Sequence, residues 1–183
     1  GPVAERVYEL RWSARDPAGD DGAATSNLGW ARRAAARLVI GRDEQVSRLE
    51  AAWQAALAGE RRVVVVAGDP GIGKTTVAAE LALRVHAGGA TVLYGRWDEE
   101  GLAPYQALRE ALGTYATACP RPRLRADVAQ HAGELARLLP DIAARIGGAR
   151  PPLADDPDAE RLRLFDAVRD WLGAITGRGP VLL

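Results

Sequence analysis

Gly68-Asp69-Pro70-Gly71-Ile72-Gly73-Lys74-Thr75 brings three glycines, a lysine and a hydroxyl together at the spacing of a phosphate-binding loop. Lys74 is the one lysine in a chain whose Lys and Arg residues total 24. Keeping an ammonium here, where arginine is used everywhere else, fits a position that needs a compact, flexible cation and has no room for a planar guanidinium. Glycine at 68, 71 and 73 permits backbone conformations and close approaches that a Cβ would block, so successive N–H groups can turn toward phosphate oxygens. Lys74 is then placed to reach the β- and γ-phosphates, and the Thr75 hydroxyl to ligate Mg²⁺. A helix starting at this point adds its positive dipole end. The candidate cofactor-binding set is Gly68, Asp69, Pro70, Gly71, Ile72, Gly73, Lys74, Thr75 and Thr76, with Thr75 also the metal ligand; no catalytic residue stands out.

The flanking sequence supplies what such a loop needs. Arg62 to Ala67 is a β-branched run that reads as a strand buried on both faces of a parallel sheet. Beyond the loop, Val77, Leu81 and Val85 recur at helical spacing. Upstream, Asp43 can open a helix with Val46, Leu49, Trp53 and Leu57 on one stripe, ended by Gly59. Thr91 to Gly95 reads as a second strand, and Pro104 to Tyr115 as a helix. Leu124 to Leu139 reads as a helix stopped by Pro140, with a short helical piece over 141–146. Glu160 to Ile175 carries Leu162, Phe165, Val168, Trp171 and Leu172 on one side, and Pro180 to Leu183 begins an apolar strand. The fold class is α/β, a parallel sheet with flanking helices.

Composition sets the limits. At 183 residues the chain can bury one sizeable core. Lys plus Arg equals Asp plus Glu at 24 each, so no global field favours nucleic acid or an anionic membrane. One cysteine, Cys119, excludes an internal disulfide and fits a reducing cytoplasm. No apolar run is long enough to span a bilayer, and there is no secretory signal. With no methionine anywhere, the chain is expected to be a piece of a longer protein. Residues 1–12 hold a short strand pattern with no evident partner. Residues 13–37 are expected to be a flexible linker, its Arg32, Arg33 and Arg37 a solvated face, and 38–183 the globular part.

The order Ile40-Gly41-Arg42-Asp43-Glu44, helix, apolar strand, the 68–75 loop, strand, then Gly95-Arg96-Trp97-Asp98-Glu99 and Pro104-Tyr105 resembles the ATPase module of the signal-transduction ATPases with numerous domains. More closely, it is similar to the origin-recognition-like AAA ATPase segment of large LuxR-type bacterial regulators and of cyclase-linked ATPases. The likeness covers 38–183, including Arg161 to Phe165 and Gly179 to Leu183. It implies a P-loop NTPase sheet truncated at the start of the Walker B strand, with the acidic pair that would position Mg²⁺ and water lying just past Leu183. It also implies ATP as ligand with Mg²⁺, and backbone at Ile40 and Gly41 near adenine. Val7 to Trp12, after Gly1-Pro2-Val3, resembles the closing strand of a class III nucleotide cyclase domain, although Gly1-Pro2 also fits an expression scar.

Other candidates for chemistry carry less. Asp155, Asp156 and Asp158 lack the ordered spacing of a calcium loop, and His86, His131 and Cys119 cannot assemble a zinc site. Asp98, Glu99 and Glu100 follow a strand end, where open α/β sheets place their sites. Three classes of function remain: a nucleotide-driven signalling switch, a phosphotransferase, and a scaffold that binds nucleotide without hydrolysing it. The Gly41-Arg42 element favours the first. The expected partners are nucleotide, other domains of the parent chain and, on nucleotide binding, a second copy. Neither nucleic acid nor membrane is expected to bind this segment.

Overall fold

The computed structural model describes residues 8–9, 28–36, 41–97, 104–146 and 156–183. In chain order these form β1 (Tyr8–Glu9), α1 (Gly29–Ala35), α2 (Asp43–Leu57), β2 (Arg62–Val63), α3 (Lys74–Ala87) and β3 (Thr91–Val92). Then follow α4 (Gln106–Ala118), α5 (Arg121–Val128), a 3₁₀ turn (Ala129–His131), α6 (Ala132–Leu138), α7 (Pro140–Arg145), α8 (Pro157–Thr176) and β4 (Val181–Leu182).

The parallel pair β3 and β4 divides two cores. Thr91 lies opposite Val181 and Val92 opposite Leu182, and hydrogen bonds run from Thr91 N to Pro180 O (3.0 Å) and from Leu93 N to Leu182 O (2.8 Å). Side chains alternate across a strand, so Val92 and Leu182 join α1, α2 and α3, whereas Leu93 and Val181 join the helices after β3. The first core holds Leu28, Ala31, Val46, Leu49, Val77, Leu81 and Val85. The second centres on the fully buried Trp171, Tyr115, Leu112 and Leu124. This is the α/β layering expected of the sequence, with few strands and many helices.

Where β3 turns toward α4 the backbones nearly touch. A Cβ on Gly95 would lie 1.8 Å from the Ala107 carbonyl oxygen, so no larger residue fits there without moving a helix. In the second core, Arg178 grips Asp127 with two hydrogen bonds (2.7 and 2.6 Å) and donates a third to the Tyr115 hydroxyl (3.0 Å). That fork ties the turn entering β4 to α4 and α5. Arg145 donates to the Cys119 carbonyl (2.8 Å), and Arg137 pairs with Glu160 (2.6 Å), linking α6 to α8.

Four expectations need correction. The valine run was expected to be a strand buried within a parallel sheet. Only Arg62–Val63 is strand, paired antiparallel with Tyr8–Glu9, and Val63 to Val66 are exposed, Val65 by 55%. A β-branched run is buried on both faces only when strands flank both its edges and helices cover it, and among the described residues only β1 pairs with it. β1 itself, expected to be without a partner, has one. Within 13–37, expected to be flexible linker, Gly29–Ala35 is a helix. Its Ala31 is fully buried, and Trp30 stacks on Tyr94 with ring centroids 3.9 Å apart. The alanines that made this stretch look featureless are what lets α1 lie close against α3. The single helix expected over 124–139 is two helices broken at Ala129–His131.

Burial pushes the Cys119 thiol above its ordinary value, and burial likewise raises the Tyr115 phenol against the opposing pull of Arg178. Both groups hold their protons longer in the folded chain than in the unfolded one. The stability this confers is complete below the unfolded values, about 8.5 for a thiol and 10 for a phenol, and is lost as pH rises through the folded ones. Urea midpoints are therefore expected to fall from about pH 8.5 upward, as the unfolding free energy drops by up to about 1.4 kcal/mol per pH unit for each retained proton. Cys119→Ala should remove the earliest part of the decline. An unchanged midpoint from pH 7 to about 10.5 would contradict it.

Candidate functional site

The 68–75 loop joins the valine run to α3, and its glycines adopt the conformations their positions demand. Gly71 has φ +79° and Gly73 φ +100°, left-handed values that other residues rarely adopt. Gly68 has φ +153°, and a Cβ there would meet Ile72 Cγ2 at 3.1 Å. Ile72 N donates to Asp69 O (3.2 Å), closing the turn. The Lys74 ammonium lies inside the loop and donates to the carbonyls of Gly68 (2.9 Å) and Asp69 (3.0 Å). A phosphate oxygen is a stronger, charged acceptor than either carbonyl, so the lysine can exchange these bonds for it without being left unpaired.

α3 begins at Lys74, with Gly73 as its cap and no side chain satisfying the cap. Val77 N donates to Gly73 O (3.0 Å), the first bond of the helix. The amides of Gly73, Lys74, Thr75 and Thr76 precede that bond and have no backbone acceptor among the described residues. Four N–H donors at a helix N-terminus beside an ammonium form an anion cradle. Thr75 is exposed at the second residue of the helix, open to solvent and to a metal. The apolar side of α3, with Val77, Leu81 and Val85 buried, fixes the helix against α1 and α2, so the cradle stands on a packed support.

The sequence-derived residues divide clearly. Gly68, Asp69, Pro70, Gly71, Ile72, Gly73, Lys74, Thr75 and Thr76 run without a break through the loop into the first turn of α3. Gly41, at φ +72°, lies just before α2, and Arg42 beside it reaches the cradle directly, its Nη2 donating to Ile72 O (3.0 Å). Ile40 and Asp98, Glu99 and Glu100 lie outside the described residues. The Arg42 contact escaped the sequence reading because it spans 30 positions. The one available signal was the arginine following a glycine ahead of a helix.

The weaker candidates turn out to be structural. Asp156 caps α8, accepting from Ala159 N (3.2 Å), and Asp158 pairs with Arg161 (2.9 Å). His131 meets Asp170 at 2.9 Å, and Cys119 is buried. Among the described residues no group of three His, Cys, Asp or Glu side chains could hold a metal ion, and no helix is long and apolar enough to cross a membrane.

Residues 38–183 match the family model described as AAA ATPase domain. No curated protein and no solved structure matches the chain.

Proposed function

Given that the chain belongs to the AAA ATPase domain family over residues 38–183, we propose that it binds ATP with Mg²⁺ as the nucleotide-binding segment of a multidomain bacterial signal-transduction regulator. The observation that carries the reading is the cradle: four amides with no backbone acceptor among the described residues, the Lys74 ammonium and the Thr75 hydroxyl lie together at the start of one helix. Each supplies what a triphosphate needs. The amides would bind the anionic oxygens, Lys74 would reach the β- and γ-phosphates, and the Thr75 hydroxyl would supply one ligand to a Mg²⁺ that offsets the remaining charge. The Gly41-Arg42 element, joined to the loop by the Arg42 hydrogen bond, supports the switch reading over a simple phosphotransferase, because it ties an upstream helix to the phosphate site. A net charge of zero supports nucleotide, neighbouring domains and a second copy of the chain as partners in preference to nucleic acid.

A fluorescent ATP analogue titrated with Mg²⁺ tests the reading. Saturable binding is expected, displaced by ATP and ADP, with AMP at least about 30-fold weaker because it lacks the phosphates that Lys74 reaches. Thr75→Ala should retain nucleotide binding in chelator but lose the enhancement by Mg²⁺. Equal competition by AMP and ATP would refute phosphate recognition by the loop.

A further inference from the structure

The middle of the phosphate loop is exposed, with Gly71 and Ile72 facing solvent, so side-chain packing does not hold its shape. Two cationic hydrogen-bond donors act on it instead. Lys74 takes the carbonyls of Gly68 and Asp69 from within, and Arg42 takes the carbonyl of Ile72 from the start of α2. The roles of the two differ once phosphate enters. Lys74 must leave its carbonyls to meet the nucleotide, whereas Arg42 has no such demand on it and can stay.

The Ile72 carbonyl and the Gly73 N–H belong to one planar peptide unit and point in opposite directions. Fixing the carbonyl on Arg42 therefore turns the Gly73 N–H to the opposite side of the chain, and Gly73 at φ +100° carries that orientation into the first turn of α3. The anchor is itself rooted. Arg42 is the residue before α2, whose Val46 and Leu49 are buried in the same core as Val77 and Leu81 of α3. Gly41 at φ +72° lets the chain turn into that helix.

Resting on the nucleotide-binding reading above, the geometry points to Arg42 as a positioning residue of the phosphate site: its guanidinium sets the Ile72–Gly73 peptide so that the Gly73 N–H serves the β-phosphate. Arg42 acts through the loop backbone and gives the α2 end of the domain a direct hold on the phosphate cradle.

The test compares the wild-type chain with Arg42→Ala and Arg42→Lys by two readouts. The first is the ¹⁵N order parameter of Ile72 and Gly73 without nucleotide. It is expected to fall in Arg42→Ala and to recover partly in Arg42→Lys, whose ammonium can still donate to a carbonyl. The second is affinity for MgATP, MgADP and AMP. Arg42→Ala is expected to weaken ATP and ADP alike by about 10-fold or more and AMP far less, with Arg42→Lys between it and wild type. A general loss of folding would weaken all three ligands equally and would lower the melting temperature, and that pattern would overturn the assignment. So would wild-type loop order together with wild-type affinity in Arg42→Ala. If the wild-type chain binds no nucleotide, the functional reading fails by itself. The order parameters then still decide the positioning role: lowered values in Arg42→Ala uphold it, and unchanged values overturn it.

Discussion

Replacing Lys74 by alanine is expected to weaken MgATP binding by about 100-fold while leaving the helical content and melting temperature of the chain close to wild type. The ammonium makes two hydrogen bonds, both to carbonyls of its own loop, and packs into neither core. Its removal therefore costs the fold little. A charge-assisted hydrogen bond contributes about 1.5–3 kcal/mol, and a lysine spanning two phosphates loses at least one such bond in full. Arginine at 74 is not expected to rescue. A guanidinium is larger and planar, and the space enclosed by the carbonyls of residues 68 and 69 suits a point charge on a flexible stem. Titration of a fluorescent ATP analogue against wild type, Lys74→Ala and Lys74→Arg, with circular dichroism as the control for folding, checks both parts. Binding by Lys74→Ala at wild-type affinity would place the nucleotide elsewhere.

The largest effect on stability is expected at Trp171. It is fully buried on α8, meets Tyr115 edge to face with ring centroids 6.2 Å apart, and lies among Leu112, Leu124 and Leu135 in the larger core. Trp171→Ala leaves a cavity that the surrounding helices cannot close, at a cost of about 3–5 kcal/mol. In a domain of this size that lowers the melting temperature by about 10 °C or more. Trp171→Phe should cost less than half as much. The indole N–H has no hydrogen-bond partner among the described residues, so its removal leaves no acceptor stranded and only volume is lost. Calorimetric melts of the two variants measure the difference. Equal destabilisation by alanine and phenylalanine would show that the indole nitrogen, and not the volume, matters there.

Local chemistry was legible in the sequence, and long-range partnership was not. The loop from Gly68 to Thr76 was legible as a unit because its turns and its lysine are local: Gly71 and Gly73 take left-handed φ, and Lys74 bonds carbonyls five and six residues before it. The buried stripe of α3 was equally plain, since Val77, Leu81 and Val85 repeat at the period of a helix. The valine run shows the limit. Its composition states a preference for burial, but burial depends on which strands and helices arrive to cover it, and Val63 to Val66 stand exposed. On α8, similarly, Leu162 and Phe165 continue the apolar stripe yet are 64% and 46% exposed, while Val168 and Trp171 are buried. α1 was missed because alanine and arginine give no periodic signal, although Ala31 is fully buried against its neighbours. Arg42 was visible only as a short motif. Its hold on Ile72 depends on how α2 and the loop meet in space.

Whether the amides opening α3 hold nucleotide phosphate, as proposed, is tested most directly by their own resonances. In a ¹⁵N–¹H titration with MgATP, the amides of Gly73, Lys74, Thr75 and Thr76 are expected to shift more than any others and to become protected from exchange with solvent. Saturable binding that leaves those four resonances in place and shifts amides elsewhere in the chain would contradict the account.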